Sequence, residues 1–359
     1  MSDVKFKLAA GTNVGLIRQN NEDNFVVCCD LSASNWLIPK TNDFAEVGQY
    51  GALLVVADGM GGANAGEVAS AIAVETVQNM FVPENLEDAI TDDKTIQEFM
   101  KSVVKAADLN ILNHSREDSS TSGMGTTIVM AWVLNDKAYI CWCGDSRCYV
   151  LNKRHGLIQL SKDHSYVQEL VDKGELDPEL MHDHPLSNVI TRCLGDADNR
   201  ANPETRIYQL RTGDTIMLCS DGLSSLCSDH DIQETMESFR EDPMECKNEL
   251  ISAALSHGGY DNVTIAVCDI MIEGEEEEEP ATDEEDEGED SSQTEELSTT
   301  IRSEVIGHRR VMPRVLLFFL LMLIAAGIYI YLVPDCEPIR NEISATISSI
   351  IVKVKQFNF

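Results

Sequence analysis

Residues 52–62 read ALLVVADGMGG. Six apolar residues run unbroken into Asp58-Gly59-Met60-Gly61-Gly62. An apolar, β-branched run of this length, closed by Asp and Gly, reads as a buried strand with a carboxylate at its end. Two distant strings repeat the arrangement. TIMLC, residues 215–219, runs into Ser220-Asp221-Gly222, and Asp261 of Tyr260-Asp261-Asn262 directly precedes VTIAVC, residues 263–268. Asp-Gly is also the commonest tight-turn pair, so any one string alone reads as a plain turn. Repetition at strand ends adds something. If these strands share a sheet, the carboxylates converge and repel, and each raises the other's pKa. A hard divalent cation with oxygen ligands removes the conflict. The pattern points to a metal site with phosphate chemistry within reach.

Working outward, strands are expected at about 5–11, 24–29, 51–57, 126–134, 137–143, 146–152, 206–211, 214–220 and 263–270. Helices are expected at about 64–80, 94–114, 164–173, 230–239 and 243–256. Asn135-Asp136 joins two apolar runs and predicts a hairpin. Strand after strand with few helices between them favours an antiparallel α+β fold over a doubly wound parallel sheet.

The chain has 359 residues and a net charge of -34. Residues 273–296 hold 15 acidic residues and no basic one, which leaves -19 for the rest. Phosphate backbones need Lys and Arg, so nucleic acid is not an expected partner. Ten of the eleven cysteines precede residue 270, and no Cys-x-x-Cys pair occurs. That reads as buried free thiols in a reducing compartment, not a thiolate zinc site. No N-terminal apolar stretch suggests a signal peptide.

Residues 315–333, VLLFFLLMLIAAGIYIYLV, carry no charge across 19 positions. About 20 such residues span a bilayer as a helix. Arg309, Arg310 and Arg314 precede the run, and Asp335 and Glu337 follow it. The positive-inside rule then places the N-terminal part in the cytoplasm. Four regions result: a working domain at 1–272, an acidic disordered linker at 273–314, a single transmembrane helix at 315–333, and a short extracytoplasmic tail at 334–359. The linker reads as a self-repelling tether, or as an inhibitory strand of carboxylates competing with phosphate. In the tail, Ile343, Ile347, Ile350 and Val354 fall at helical spacing.

Three more strings complete the domain: Arg18-Gln-Asn-Asn-Glu22-Asp23, GMGTT at 123–127, and Gly144-Asp145-Ser146-Arg147. With D-G-x-G-G, S-D-G-L and D-N-V-T they occur in the order of the metal-dependent type 2C serine/threonine protein phosphatases. The domain resembles that family over nearly all of residues 6–270. The resemblance implies a four-layer α-β-β-α sandwich, with two antiparallel sheets flanked by helices. It implies two Mn²⁺ or Mg²⁺ ions and hydrolysis of phosphoserine and phosphothreonine by in-line attack of an activated water. By position, Asp58 bridges the ions, Asp221 and Asp261 complete one, and the Gly59 carbonyl ligates the other. Glu22 acts through a water, Asp23 orients water, and Arg18 clamps the phosphate as a planar bidentate donor. Asp145, with Asp221, matches a third, weaker site of bacterial members.

Many eukaryotic members carry His two residues after the bridging Asp. Met60 stands there, as in many bacterial members, and leaves the general acid unassigned. Cys141 and Cys143 precede Arg147 but lie in a strand run, unlike the loop of cysteine phosphatases. His182 and His184 read as surface histidines of a flap, and Asp183 as a further candidate for the third site. The expected partners are phosphoserine/phosphothreonine proteins, with a Ser/Thr kinase and its targets among them, and the membrane. The competing reading is a catalytically inactive, phosphatase-like membrane scaffold, against which the intact Glu22, Asp58, Asp221 and Asp261 stand. A nucleotide loop at 58–62 fails on spacing, because neither G-x-G-x-x-G nor Gly-Lys-Ser/Thr is present.

Overall fold

The computed structural model describes residues 4–36, 43–61, 65–181 and 184–274. In chain order the strands are β1 (Val4–Asn13), β2 (Asn24–Cys28), β3 (Ala45–Glu46), β4 (Ala52–Ala57), β5 (Gly59–Met60), β6 (Gly125–Thr126) and β7 (Ile128–Leu134). They continue with β8 (Lys137–Cys143), β9 (Arg147–Asn152), β10 (Gly156–Gln159), β11 (Glu204–Gln209), β12 (Thr215–Cys219) and β13 (Val263–Ile272). The helices are α1 (Ala65–Met80), α2 (Pro83–Ala89), α3 (Asp93–Glu117), α4 (Tyr166–Asp172), α5 (Asp221–Ser224), α6 (Asp229–Ser238) and α7 (Pro243–Ser256).

One sheet runs β10-β9-β12-β13-β1-β3 and the other β11-β8-β7-β4-β2, with β5 and β6 forming a separate small ladder. The ladders β4–β7, β12–β13 and β1–β13 are all antiparallel, as the succession of strand runs predicts. Alternation along β4 explains its unbroken apolar sequence. Leu54 and Val56 face the other sheet and meet Phe6, Leu8 and Ile270. Leu53 and Val55 face away and pack under Ala69 and Ala73 of α1 and Val103 of α3. The opposite outer layer seats Ile232 of α6 and Leu250 of α7 on Met217 and Ile265. The order is therefore helix, sheet, sheet, helix, with three apolar seams between the layers.

The expected strand at 126–134 divides in two. Thr127 N donates to Asp58 O at 2.8 Å, and Thr126 Oγ1 donates to the same oxygen at 2.9 Å. These bonds peel β6 away from β7 and pair it with β5. Asn135 turns the β7–β8 hairpin with φ 54, a left-handed conformation Asn tolerates. The two- to four-residue strands β3, β5 and β10 and the short helices α2 and α5 were not legible from periodicity, being too short to show any. Asp221 consequently opens a helix rather than ending a strand.

The apolar run at 315–333 and the tail at 334–359 lie outside the described residues, as do His182, Asp183 and nearly all of the acidic linker. Among the described residues, no helix is long and apolar enough to cross a membrane.

Candidate active site

The carboxylates meet where the two sheets end together. Asp58 leaves β4, Asp221 opens α5 after β12, Asp261 precedes β13, and Asp145 turns the chain from β8 to β9. Glu22 and Asp23 sit at the entrance to β2. The two sheets contribute to one acidic floor because β4 lies in one and β12 and β13 in the other.

Backbone hydrogen bonds and hydroxyls set this floor. Asp58 N donates to Thr127 Oγ1 at 3.2 Å, and that hydroxyl lies 2.7 Å from Ser146 Oγ. The GTT string is thereby latched to the turn carrying Asp145. Ser220 Oγ and Thr264 Oγ1 both donate to Asp23 Oδ2, at 2.8 and 2.6 Å. Asn262 holds the entrance loop from three directions. Its Oδ1 accepts from Glu22 N at 2.8 Å, and its Nδ2 donates to the carbonyls of Val14 and Asn20 at 2.9 and 3.0 Å. Gly59 is required for a further reason: a Cβ there would collide with the carbonyl oxygens of Glu22 and Gly66. His164 steadies the Asp145 turn, with Nδ1 accepting from Gly144 N at 3.1 Å while His164 N donates back to Gly144 O at 2.9 Å. Burial holds the His164 pKa down, which favours the neutral ring this acceptor needs. Its Nε2 then points its proton toward Glu204 Oε1, 3.3 Å away.

The electrostatics are strained in one direction. Burial, then the charges of Asp23, Asp221 and Asp145, drive the Asp58 carboxyl well above its ordinary range. Asp221 is raised in turn, by burial first and then by the charge of Asp261. Asp145 is likewise raised by burial and by Asp221, and its Oδ1 is buried without a hydrogen-bond partner. Burial lifts Asp23 to about 7 despite its two hydroxyl donors. A crowded set of hard oxygens with one orphaned carboxylate oxygen suits Mg²⁺ or Mn²⁺. Among the described residues, no group of three or more His, Cys, Asp or Glu side chains is arranged so that it could hold a metal ion by itself. Asp261 is turned toward Arg18, whose Nη2 lies 2.6 Å from Oδ2.

All eight residues expected at the site lie around this floor: Arg18, Glu22, Asp23, Asp58, Gly59, Asp145, Asp221 and Asp261. Sequence reasoning missed the hydroxyls of Thr127, Ser146, Ser220 and Thr264, together with Asn262 and His164. Ser146, Ser220, Asn262 and Thr264 stood beside acids in the quoted strings and Thr127 closed GMGTT, but nothing in those strings marked them as the groups that aim the acids, and His164 lay in none of them. Arg147 also differs from a free phosphate ligand, because it forks onto Asp163 at 3.0 and 2.7 Å and donates to Tyr149. Cys141 is fully buried on the α3 side of β8, and burial drives its thiol upward, away from the reactive thiolate. His184 caps a turn, its Nδ1 accepting from Leu186 N at 3.1 Å. Met60 pairs with Gly125 in the β5–β6 ladder.

A cleft of about 1080 Å³ opens from Asp145, Asp221 and Asp261. Pro178, Met181, Ser187 and Asn188 line it together with residues 221–222 and 224–229, His257 and Tyr260.

This arrangement has close counterparts. The profile of the Protein phosphatase 2C family matches residues 41–257. The serine/threonine phosphatase stp of Listeria monocytogenes is 33% identical over 258 residues, covering 72% of this chain and 93% of that protein. The crystal structure of the Mycobacterium tuberculosis serine/threonine phosphatase PstP/Ppp superposes with TM-score 0.60 at 33% identity, covering 74% of this chain and 98% of that one. The catalytic domain of PstP in complex with two manganese ions superposes with TM-score 0.59 at 32% identity, covering 75% and 99%. With its ordered motifs, its paired antiparallel sheets and the carboxylates at their shared end, the chain belongs to the protein phosphatase 2C family.

Proposed function

We propose that the chain is a metal-dependent protein serine/threonine phosphatase, anchored in a membrane by residues 315–333 with its catalytic domain on the cytoplasmic side. The observation that carries the enzymatic reading is the set of mutually crowded carboxylates at the junction of the two sheets. Asp58, Asp221, Asp261 and the Gly59 carbonyl would hold two Mn²⁺ or Mg²⁺ ions, Glu22 would act through water, and Asp145 would serve a third. When bound, such ions supply Lewis acidity toward phosphoryl oxygens and the attacking water.

The chain's own residues do the rest. Asp23, pinned by Ser220 and Thr264, presents a fixed acceptor that orients water toward the phosphorus. Arg18, half exposed beside Asp261, receives two phosphoryl oxygens through its planar guanidinium and offsets their growing charge. The acid–hydroxyl latches hold this geometry before substrate arrives, so little reorganisation is left for the reaction itself. The phosphorylated side chain enters by the cleft that ends on Asp145, Asp221 and Asp261. The 19-residue uncharged run and the arginines before it support the anchor and its orientation. A membrane position in turn makes membrane-associated phosphoproteins, a Ser/Thr kinase among them, the natural substrates.

The test is phosphate release from a phosphothreonine peptide by the full chain in detergent, with Mn²⁺ and then with EDTA. Metal-dependent release that disappears in Asp58→Asn is the expected result. No release, with Mn²⁺ binding demonstrated by calorimetry, would overturn the enzymatic reading in favour of a scaffold.

A further inference from the structure

Most of the exposed large apolar side chains lie on the cleft or next in sequence to residues that line it or pair with its carboxylates. Leu16, Ile17 and Tyr260 are 64%, 66% and 62% exposed. Leu180, Leu186 and Val189 are exposed on the facing segment, whose Pro178, Met181, Ser187 and Asn188 line the cleft. The other large apolar side chains this exposed among the described residues are Val14, on the same loop as Leu16, and Leu109 on α3. Soluble domains seldom gather apolar groups in one place without a binding partner.

The first group is built into the site's frame. Leu16 N donates to Gly259 O at 2.7 Å, and Asn262 Nδ2 ties Val14 O to the segment carrying Asp261. Ile17 directly precedes Arg18, and Tyr260 directly precedes Asp261. These bonds and adjacencies hold the apolar loop beside the Arg18–Asp261 pair. Any polypeptide whose phosphorylated residue reaches the acidic floor must lay its neighbouring residues across this rim and along the facing segment.

We propose that Leu16, Ile17 and Tyr260 on one side, and Leu186 and Val189 on the other, form a specificity surface for apolar residues flanking the phosphorylated residue of a protein substrate. This rests on the phosphatase reading above. The occupant is the substrate polypeptide because the rim is continuous with the cleft that ends at the candidate catalytic carboxylates. Apolar flanks gain burial on both sides of the mouth. A small phosphate monoester touches neither.

The test compares the full chain with Ile17→Ser, Leu16→Ser and Leu186→Ser on three substrates. These are p-nitrophenyl phosphate, a phosphothreonine peptide flanked by Leu, and the same peptide flanked by Ser. The expected result is a KM for the Leu-flanked peptide about tenfold below that for the Ser-flanked one in the parent. That advantage shrinks severalfold in each variant, while p-nitrophenyl phosphate turnover stays within about twofold and reports an intact fold. Equal KM for the two peptides in the parent overturns this proposal alone. A parent that hydrolyses p-nitrophenyl phosphate but neither peptide overturns the phosphoprotein reading and the rim with it. Unchanged peptide KM in Ile17→Ser, together with altered self-association by sedimentation, would make the rim a contact between copies of this chain and overturn its role in substrate selection.

Discussion

At the scale of single residues, the chain places carboxylates where each makes its neighbours harder to ionise. Asp58 carries the greatest burden, pressed by Asp23, Asp221 and Asp145 as well as by burial. Replacing it by Asn relieves the repulsion but removes the ligand shared by both proposed ions. Asp58→Asn should thus lower kcat by about a thousandfold or more while leaving or raising thermal stability without metal. Calorimetric Mn²⁺ titration should show the matching loss of binding. Arg18→Ala should act differently. Charge-assisted bonds are worth about 1.5–3 kcal/mol, so KM for a phosphopeptide should rise roughly ten- to a hundredfold with Mn²⁺ affinity retained. Asp269, away from the site, offers a pH test. It is held by Thr215 Oγ1 at 2.6 Å, its Oδ2 has no hydrogen-bond partner, and burial lifts its pKa to about 7. Between about pH 4 and 7 the folded chain keeps a proton there that the unfolded chain releases. Its contribution to stability therefore falls as pH rises through that window, and the loss is complete above about 7. Asp269→Asn should remove this component, on the order of 2–4 kcal/mol, seen as a smaller drop in urea midpoint from pH 4 to 8 than in the parent.

At the scale of elements, the working parts are strand ends tied together by hydroxyls. Thr127 joins β4 to the β8–β9 turn by accepting from Asp58 N and meeting Ser146 Oγ. Thr127→Val keeps the shape and removes both contacts. It should cost about 1–3 kcal/mol in denaturant unfolding, and kcat should fall with little change in KM. The long strands and helices were legible because a doubly covered sheet requires unbroken apolar runs such as ALLVVA, while the longer helices show periodicity, and α3, α6 and α7 also carry side-chain caps. Asp92, for example, accepts from Lys94 N and Thr95 N where α3 begins. The division of the expected 126–134 strand was not legible. Nothing in Gly-Thr-Thr-Ile marks Thr127 as the point of departure; the cause is Asp58 O, 69 residues earlier. Asp58, Asp221 and Asp261 were legible because each borders an apolar run, and Glu22, Asp23 and Asp145 came from the ordered strings of the resemblance. The groups that aim them were not, because Asn262 and His164 act on backbone atoms that come near only after folding. Arg18 reads from its string as a phosphate clamp, and its pairing with Asp261 was not legible.

At the scale of the whole molecule, the question is how much of the chain the chemistry needs. The first compact unit runs Met1–Glu284, and its last strand, β13, ends at Ile272. Beyond it Glu273 still matters, because its carboxylate pairs with Lys5 of β1, the neighbour of β13. A truncation should therefore keep Glu273 and Gly274. Residues 1–274 retain all eight site residues, both sheets and the apolar rim, and lose most of the acidic linker and the apolar run at 315–333. If the linker is a tether and the run an anchor, this fragment should be recovered without detergent. Its metal-dependent kcat and KM toward a phosphothreonine peptide should match the full chain within about twofold, because every contact described above that holds the acidic floor is made by residues within 1–274. A KM for the fragment several times lower, recovering at high ionic strength in the full chain, would instead identify the linker as a screened competitor for the cationic Arg18. Full-chain kinetics at 0.05 and 0.5 M salt beside the fragment separate the two roles, since a tether is indifferent to salt and a competing carboxylate strand is not.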